Sequence, residues 1–275
     1  MEQMKCMEEM NVTTTMIGNA ARRKRQQIMS KNLSPSTEAF VGDASLRRGM
    51  NGLDLGCGTG ETTLLLKSMV GNGRITGIDS RSTQISIAKD KAQRNNVNRI
   101  EFQCINILEW RPRVSYDFVY SGFHFCLLKK PLLLLKQVYS TLKPGGFAMI
   151  EDLDFSQFHS FPNSFAFDRF VELYMDVLTL QGADPKIGNN LFPLFQEVGF
   201  DHIKVQKVRP TFLTGKDKYL ASFTLESIAT ILVNENLAMT TEIQALLFEL
   251  RDFESQSNTM ITLPGIYQVM GYKSS

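Results

Sequence analysis

Leu53-Asp54-Leu55-Gly56-Cys57-Gly58-Thr59-Gly60 is the stretch on which the reading of this chain turns. It includes the end of a short apolar segment, Gly52–Leu55, and runs directly into helix-forming residues from Glu61 onward. Glycines between a strand and a helix let the backbone turn sharply and approach a ligand with no Cβ in the way. Nineteen positions after Gly60, Asp79 ends the next apolar segment. A carboxylate there can accept both hydroxyls of a ribose. A glycine triplet alone is weak, but strand, triplet, helix and spaced acid in one unit point to a nucleoside ligand.

Outward from this unit the chain alternates between short apolar strands and helical stretches, the pattern of βα units on a parallel sheet. The expected strands are Gly52–Leu55, Arg74–Asp79, Ile100–Cys104, Tyr116–Ser121 and Phe147–Asp152, with His202–Val208 and Gly265–Tyr272 later. The expected helices are Glu61–Met69, Ser82–Asn96 and Pro131–Leu142, the last with proline in its first turn, where a missing N–H costs nothing. Lys143-Pro144-Gly145-Gly146 stops that helix. An aromatic-rich stretch and a helix at Asp168–Gln181 follow, then a helix at Ile187–Val198 ended by Gly199, and one or two more between Lys216 and about Ser257. There is no internal repeat.

A dinucleotide site wants G-x-G-x-x-G with a pyrophosphate on the helix N-terminus. Here the third glycine, Gly60, comes one position early and Glu61 stands where glycine is needed. A carboxylate in the first helical turn repels a pyrophosphate but tolerates a cationic sulfonium, which favours S-adenosylmethionine over NAD. With GIDS at Gly77–Ser80 and LKPGG at Leu142–Gly146, the glycine stretch resembles the Rossmann-like S-adenosylmethionine-dependent methyltransferase superfamily of small-molecule type, over roughly Met50–Asp152 and more weakly over Gly182–Phe200.

The resemblance implies an α/β fold, a seven-stranded mostly parallel sheet flanked by helices with helical lid insertions. It implies a domain over 49–275 with insertions at about 155–185 and 214–259, preceded by an N-terminal helical segment, 1–48, packing on or over the cofactor site. By the same resemblance Gly56, Gly58 and Gly60 line the methionine part of the cofactor beside Asp54, and Asp79 holds the ribose with Ser80 and Gln84 nearby. Asn106 falls where the family places an acid or amide against the adenine amine, with the Ile107 N–H beside the ring. Asn106 as a simple turn former is the other reading.

Ligands of open parallel sheets bind beyond the carboxyl ends of the strands, which directs attention to Ser121-Gly122-Phe123-His124 and Asp152-Leu153-Asp154-Phe155. Methyl transfer is a displacement at a carbon activated by its leaving group, so positioning supplies much of the rate and a base matters when the nucleophile must lose a proton. His124 is the candidate base, a satisfied histidine being the alternative. Ser121 is expected at the cofactor. Asp154 either holds a substrate amine or, with Asp152, is an exposed loop acid. Phe155, Phe158, Phe161, Phe165 and Phe167, with His159 among them, read as core packing or as a lid. The run Arg22-Arg23-Lys24-Arg25 reads as a solvated helix face, with Arg23 as the candidate partner of the cofactor carboxylate. Asn51-Gly52, where an apolar strand residue is usual, reads as a sign of divergence.

The 275 residues carry 30 Lys and Arg against 28 Asp and Glu, a net charge of +2 that gives no general field for nucleic acid or acidic membranes. The four cysteines, Cys6, Cys57, Cys104 and Cys126, form no CxxC pair, so neither zinc nor a disulfide framework is expected, and no metal site is assigned. No apolar run has membrane-spanning length, and a soluble cytoplasmic protein is expected. Ser121-Gly122-Phe123-His124 is unlike the N-P-P-Y-type motif of base-amino methylating enzymes, and no paired-glutamate loop for arginine is evident. The expected partner is therefore a small-molecule acceptor, methylated on oxygen or nitrogen, with the oligomeric state left open. A non-catalytic S-adenosylmethionine-binding protein and an NAD-binding oxidoreductase are the alternatives.

Overall fold

The computed structural model describes residues 19–111 and 114–274. Residues 1–18, with Cys6, lie outside the described residues. Two compact units share the chain, one holding residues 35–154, 186–208 and the segment from 266, the other the described residues up to 34, 155–185 and 209–265.

In the first unit the strands β1 (Gly52–Leu55), β2 (Ile75–Asp79), β3 (Ile100–Cys104), β4 (Tyr116–Gly122) and β5 (Leu142–Asp154) join β7 (Asp201–Val208) and β10 (Gly265–Tyr272) in one seven-stranded sheet. Its order is β3-β2-β1-β4-β5-β10-β7. The first five strands pair in parallel, and β10 runs antiparallel to β7. This is the seven-stranded, mostly parallel sheet flanked by helices that the sequence implies. The strand order reverses at β1 and β4, so the ends of those strands form the crevice where ligands of doubly wound sheets bind. β1 and β2 are buried along their whole length, as parallel strands covered on both faces must be.

Helices α2 (Glu61–Val70), α3 (Ser82–Arg94), α4 (Pro131–Thr141) and α6 (Ile187–Val198) cover the sheet. α1 (Asn19–Gly42) contributes its last turns, where Phe40 and Val41 pack with Leu66, Val70 and Phe118. Leu134, Leu135 and Val138 of α4 meet Leu191 and Phe195 of α6 in another cluster with Val119 and Ile150. The β5 strand begins at Leu142, earlier than Phe147. Gly145 N–H donates to Lys273 O and Lys273 N–H to Gly146 O, so the Pro-Gly-Gly turn is drawn into the sheet and absorbed as a register shift against β4.

The Asn51-Gly52 pair has a structural reason and is no sign of divergence. A Cβ at Gly52 would lie 2.1 Å from Cζ of Phe118, so the ring on β4 occupies the side-chain space of β1. Asn51 joins the starts of three strands: its N–H donates to Asp117 Oδ2 at 2.7 Å, its carbonyl accepts from Asp117 N, and its Oδ1 accepts from Arg74 N.

The second unit contains α5 (Phe165–Leu180), α7 (Leu220–Asn234) and α8 (Thr240–Ser255), with a small antiparallel sheet of β6 (His159–Phe161), β9 (Met260–Thr262) and β8 (Thr211–Phe212) in the order β6-β9-β8. Ser164 caps α5 by accepting from Phe167 N. Phe155, Phe158, Phe167, Phe170 and Tyr174 form a chain of edge-to-face and stacked rings 5.0–6.1 Å apart. These are core residues, whereas Phe161 and Phe165 are exposed. The basic run of α1 is not a uniformly solvated face. Arg25 donates to the Tyr174 hydroxyl and lies 5.5 Å from that ring, and Lys24 sits 4.8 Å over Phe223, while Arg23 is exposed.

Candidate active site

The glycine loop leaves β1 with the N–H groups of Gly56 and Cys57 both donating to Ile78 O on β2, which fixes the loop against the neighbouring strand. Gly56, Gly58 and Gly60 have φ of 80°, 51° and 83°, the left-handed region where a Cβ is strained. Gly58 faces open space, with no atom within 4 Å of where a Cβ would stand. Gly60 then caps α2. On the far side of the loop Thr59, Glu61 and Lys91 are tied together, the Glu61 carboxylate accepting from both the Thr59 hydroxyl and the Lys91 ammonium. Burial pushes the Glu61 carboxyl up, but those two donors hold it below the usual range. Its charge is thus partly neutralised by Lys91 rather than turned on a ligand.

Asp79 lies at the end of β2 beside this loop. Its Oδ2 accepts from Gly58 N at 3.1 Å and its Oδ1 from Arg81 N at 2.9 Å and Arg81 Nε at 3.3 Å. Burial opposes ionisation, yet the Arg81 donors and charge outweigh it and hold the carboxyl below its ordinary range. Asp54, on β1, is the reverse case. Burial pushes it up to about 7, against the Thr63 hydroxyl donating to Oδ2 at 2.6 Å, and the Asp79 charge adds to the rise. Ser80 and Gln84 are half-buried next to Asp79, and their side chains have no partner among the described residues. Asn106 Oδ1 accepts from Leu108 N, and its carbonyl from Glu109 N and Trp110 N, so the residue builds the turn after β3. One lone pair of Oδ1 is left over, and the Ile107 N–H beside it has no acceptor among the described residues.

Beyond β4 the backbone turns at Phe123, whose φ of 59° is unusual for a bulky side chain. Phe123 N–H donates to Glu151 O, and the turn lays the His124 ring on Gly56: a Cβ there would stand 2.3 Å from Cε1 and Nε2. Nδ1 lies 2.7 Å from Gly122 O, a carbonyl that can only accept, so Nδ1 carries a proton and Nε2 is the ring nitrogen left at the loop. Asp152 holds the turn that follows. Its Oδ2 accepts from Cys126 N and its Oδ1 from Leu153 N, with burial raising the carboxyl to about 6. Asp152 and Asp154 are 0% and 3% exposed, so neither is the exposed loop acid of the sequence reading. Ser121 is fully buried and donates to Leu55 O at 2.9 Å, tying β4 to β1 beneath the site.

Sequence reasoning passed over Arg81 and Lys91, and although it singled out Ser121-Gly122-Phe123-His124, the left-handed backbone of Phe123 has no signature in residue type.

The residues fit an adenosyl group: open space over Gly58, an ionised carboxylate at Asp79, unpartnered polar side chains at Ser80 and Gln84, and a spare N–H at Ile107 are brought to one end of the sheet. The family described as "Methyltransferase domain" matches residues 53–146. A demethylmenaquinone methyltransferase of Staphylococcus aureus is 36% identical over 117 residues, 42% of this chain and 47% of that protein. A trans-aconitate 2-methyltransferase of Agrobacterium fabrum is 32% identical over 112 residues, 41% of this chain and 42% of the other. In both alignments the chain spans less than half the length of the relative. Haemonchus contortus phosphoethanolamine N-methyltransferase 2, solved with S-adenosyl-L-methionine, shares the fold with a TM-score of 0.59 at 15% identity, covering 92% of this chain and 56% of that one. Residues 53–146 therefore match the methyltransferase-domain family, and the sheet has the fold of the methyltransferase solved with S-adenosyl-L-methionine.

Proposed function

We propose that the protein transfers a methyl group from S-adenosylmethionine to an oxygen or nitrogen of a small molecule, in a reducing compartment such as the cytoplasm. The observation that carries this reading is the convergence of the Gly56–Gly60 loop, the ionised Asp79 and Nε2 of His124 at the carboxyl ends of β1, β2 and β4. S-adenosylmethionine supplies a methyl carbon already activated by a sulfonium leaving group, and this chain's task is to orient it and to manage one proton. Asp79 accepts the ribose hydroxyls, with Ser80 and Gln84 beside it. Ile107 N–H and the remaining lone pair of Asn106 Oδ1 meet the adenine edge. Gly56, Gly58 and Gly60 let the main chain approach the methionine moiety, over Asp54 and Ser121, which tie the loop to α2 and β4 from below. His124 Nε2 takes the proton of an attacking hydroxyl, or the proton an ammonium must lose before its nitrogen attacks, and Nδ1–H on Gly122 O holds the ring in that tautomer.

Two relatives named for chemically unlike acceptors, demethylmenaquinone and trans-aconitate, support a small molecule as the class. No described helix is long and apolar enough to cross a membrane, and no disulfide joins the described cysteines Cys57, Cys104 and Cys126. Calorimetric titration of the whole chain with S-adenosylmethionine and S-adenosylhomocysteine tests the reading. Saturable binding of both is expected, weakened about tenfold or more in Asp79→Ala, because the hydroxyls lose a charged acceptor. Absence of binding to either compound would overturn it, and binding without methyl consumption across acceptor panels would reduce the protein to a cofactor-binding module.

A further inference from the structure

Along one face of β3, from Arg99 before the strand to Ile105 after it, the sheet holds a second concavity, a cavity of about 780 Å³. It exists because the chain between β3 and β4 forms no helix among its described residues, leaving one face of β2 and β3 without a helical cover. Side chains alternate along a strand, so Thr76 on β2 shares a face with Glu101 and Gln103 on β3, and Arg74 and Arg99, each just before its strand, line the same cavity. Ile75 N–H donates to Arg99 O, which sets Arg74 and Arg99 side by side at the mouth. Arg111 enters from the connecting segment, held by bonds from Nη1 to Leu108 O and Trp110 O.

None of these three guanidinium groups has a carboxylate within ion-pair distance among the described residues, although Glu101 and Glu109 line the same cavity. Glu101 instead accepts from Gln103 Nε2 at 2.7 Å. Among the described residues Arg74 has no side-chain partner, and Arg99 has one neutral bond, from Nη1 to Asn72 O. Arg99 also adopts a φ of 58°, a left-handed conformation that costs a residue with a Cβ and that fixes where its side chain leaves the backbone. With Glu101 and Glu109 in the lining the three arginines leave one positive charge in excess, and guanidinium groups outside ion-pair distance of a carboxylate can take an anion with several acceptor oxygens. Planar guanidinium forks match the oxygens of phosphate in pairs. The cavity volume suits a molecule of metabolite size.

We propose that this cavity is a second ligand site, distinct from the glycine loop, for a small molecule bearing a phosphate or diphosphate group. Arg74 and Arg99 grip the anion, and Arg111 closes its third side. The site does not depend on the methyltransferase reading, since Arg74 precedes β2 whereas Asp79 ends it. The test is calorimetric titration of the full chain with inorganic pyrophosphate at constant ionic strength, beside citrate as a polycarboxylate. Saturable pyrophosphate binding is expected, weakened about tenfold or more in the double variant R74Q/R99Q and in R111Q, with S-adenosylhomocysteine affinity held within about twofold. R74K/R99K keeps the charge without the fork and is expected to bind with intermediate affinity; it also serves if the glutamine pair fails to fold. The proposal is overturned if pyrophosphate gives no saturable heat, or if R74Q/R99Q and R74K/R99K bind it as the parent does. Citrate binding as tightly as pyrophosphate overturns the assignment to phosphate.

Discussion

Gly52 shows how much a single residue's meaning depends on what lies across the sheet. In sequence it interrupts an apolar strand, and the natural inference is a weakened or divergent element. In the fold, Phe118 on β4 fills the volume its side chain would take. Gly52→Ala is therefore expected to cost about 1–3 kcal/mol through overpacking, and F118L in the same background should recover part of that loss. Chemical denaturation of the two variants decides it: a single variant as stable as the parent would show that the Phe118 ring yields freely. Asp79 and His124 were legible because their chemistry depends on residue type and on position after a strand. Arg81 was not, because nothing in an arginine next to Ser80 shows that its Nε will turn back to the carboxylate two positions earlier.

At the scale of elements, long periodic segments were readable and short or strained ones were not. The helices Glu61–Val70 and Ile187–Val198 and the strands of the parallel sheet carry hydrophobic periods or glycine stops that survive in any context. The strands β6, β8 and β9, only two or three residues long, are too short to show a period, and they exist because their partners pair with them. The turn from β4 to His124 belongs with these, being fixed by the left-handed Phe123 and by Asp152 holding Cys126 N and Leu153 N. On the proposed mechanism Asp152 acts through that turn as a positioning residue for His124. Asp152→Ala is expected to lower kcat about ten- to hundredfold by letting the His124 ring drift, while S-adenosylhomocysteine affinity changes little. The pH–rate profile separates this from general damage. The limb set by the base should flatten in Asp152→Ala, whereas a merely less stable protein would keep the parent's profile at reduced amplitude.

At the scale of the whole molecule, both units bury carboxyls that resist ionisation. Asp54 and Asp152 in the sheet unit are raised to about 7 and about 6, and Glu254 on α8 of the other unit to about 7, each mainly by burial. The Oε2 of Glu254 has no hydrogen-bond partner, while its Oε1 accepts from Ser222 N. For such a group the folded state holds a proton that the unfolded chain has already released. Stability therefore falls as pH rises from the ordinary carboxyl range through the folded value. Asp79, Glu61 and Asp217 act in the opposite sense, since their lowered values contribute stability above the usual carboxylate range that is lost only in stronger acid. The two sets place the expected stability maximum in mild acid, at about pH 5, with thermal stability declining toward about pH 7 and levelling beyond it. A melting temperature flat or rising across that interval would contradict the buried-acid account. Asp54→Asn gives the sharper form of the test, because the amide oxygen can still accept from Thr63 Oγ1 but cannot ionise. Its melting temperature should decline less than the parent's between about pH 5 and pH 7, the difference accumulating as pH rises toward the folded value of Asp54, about 7, and staying constant above it.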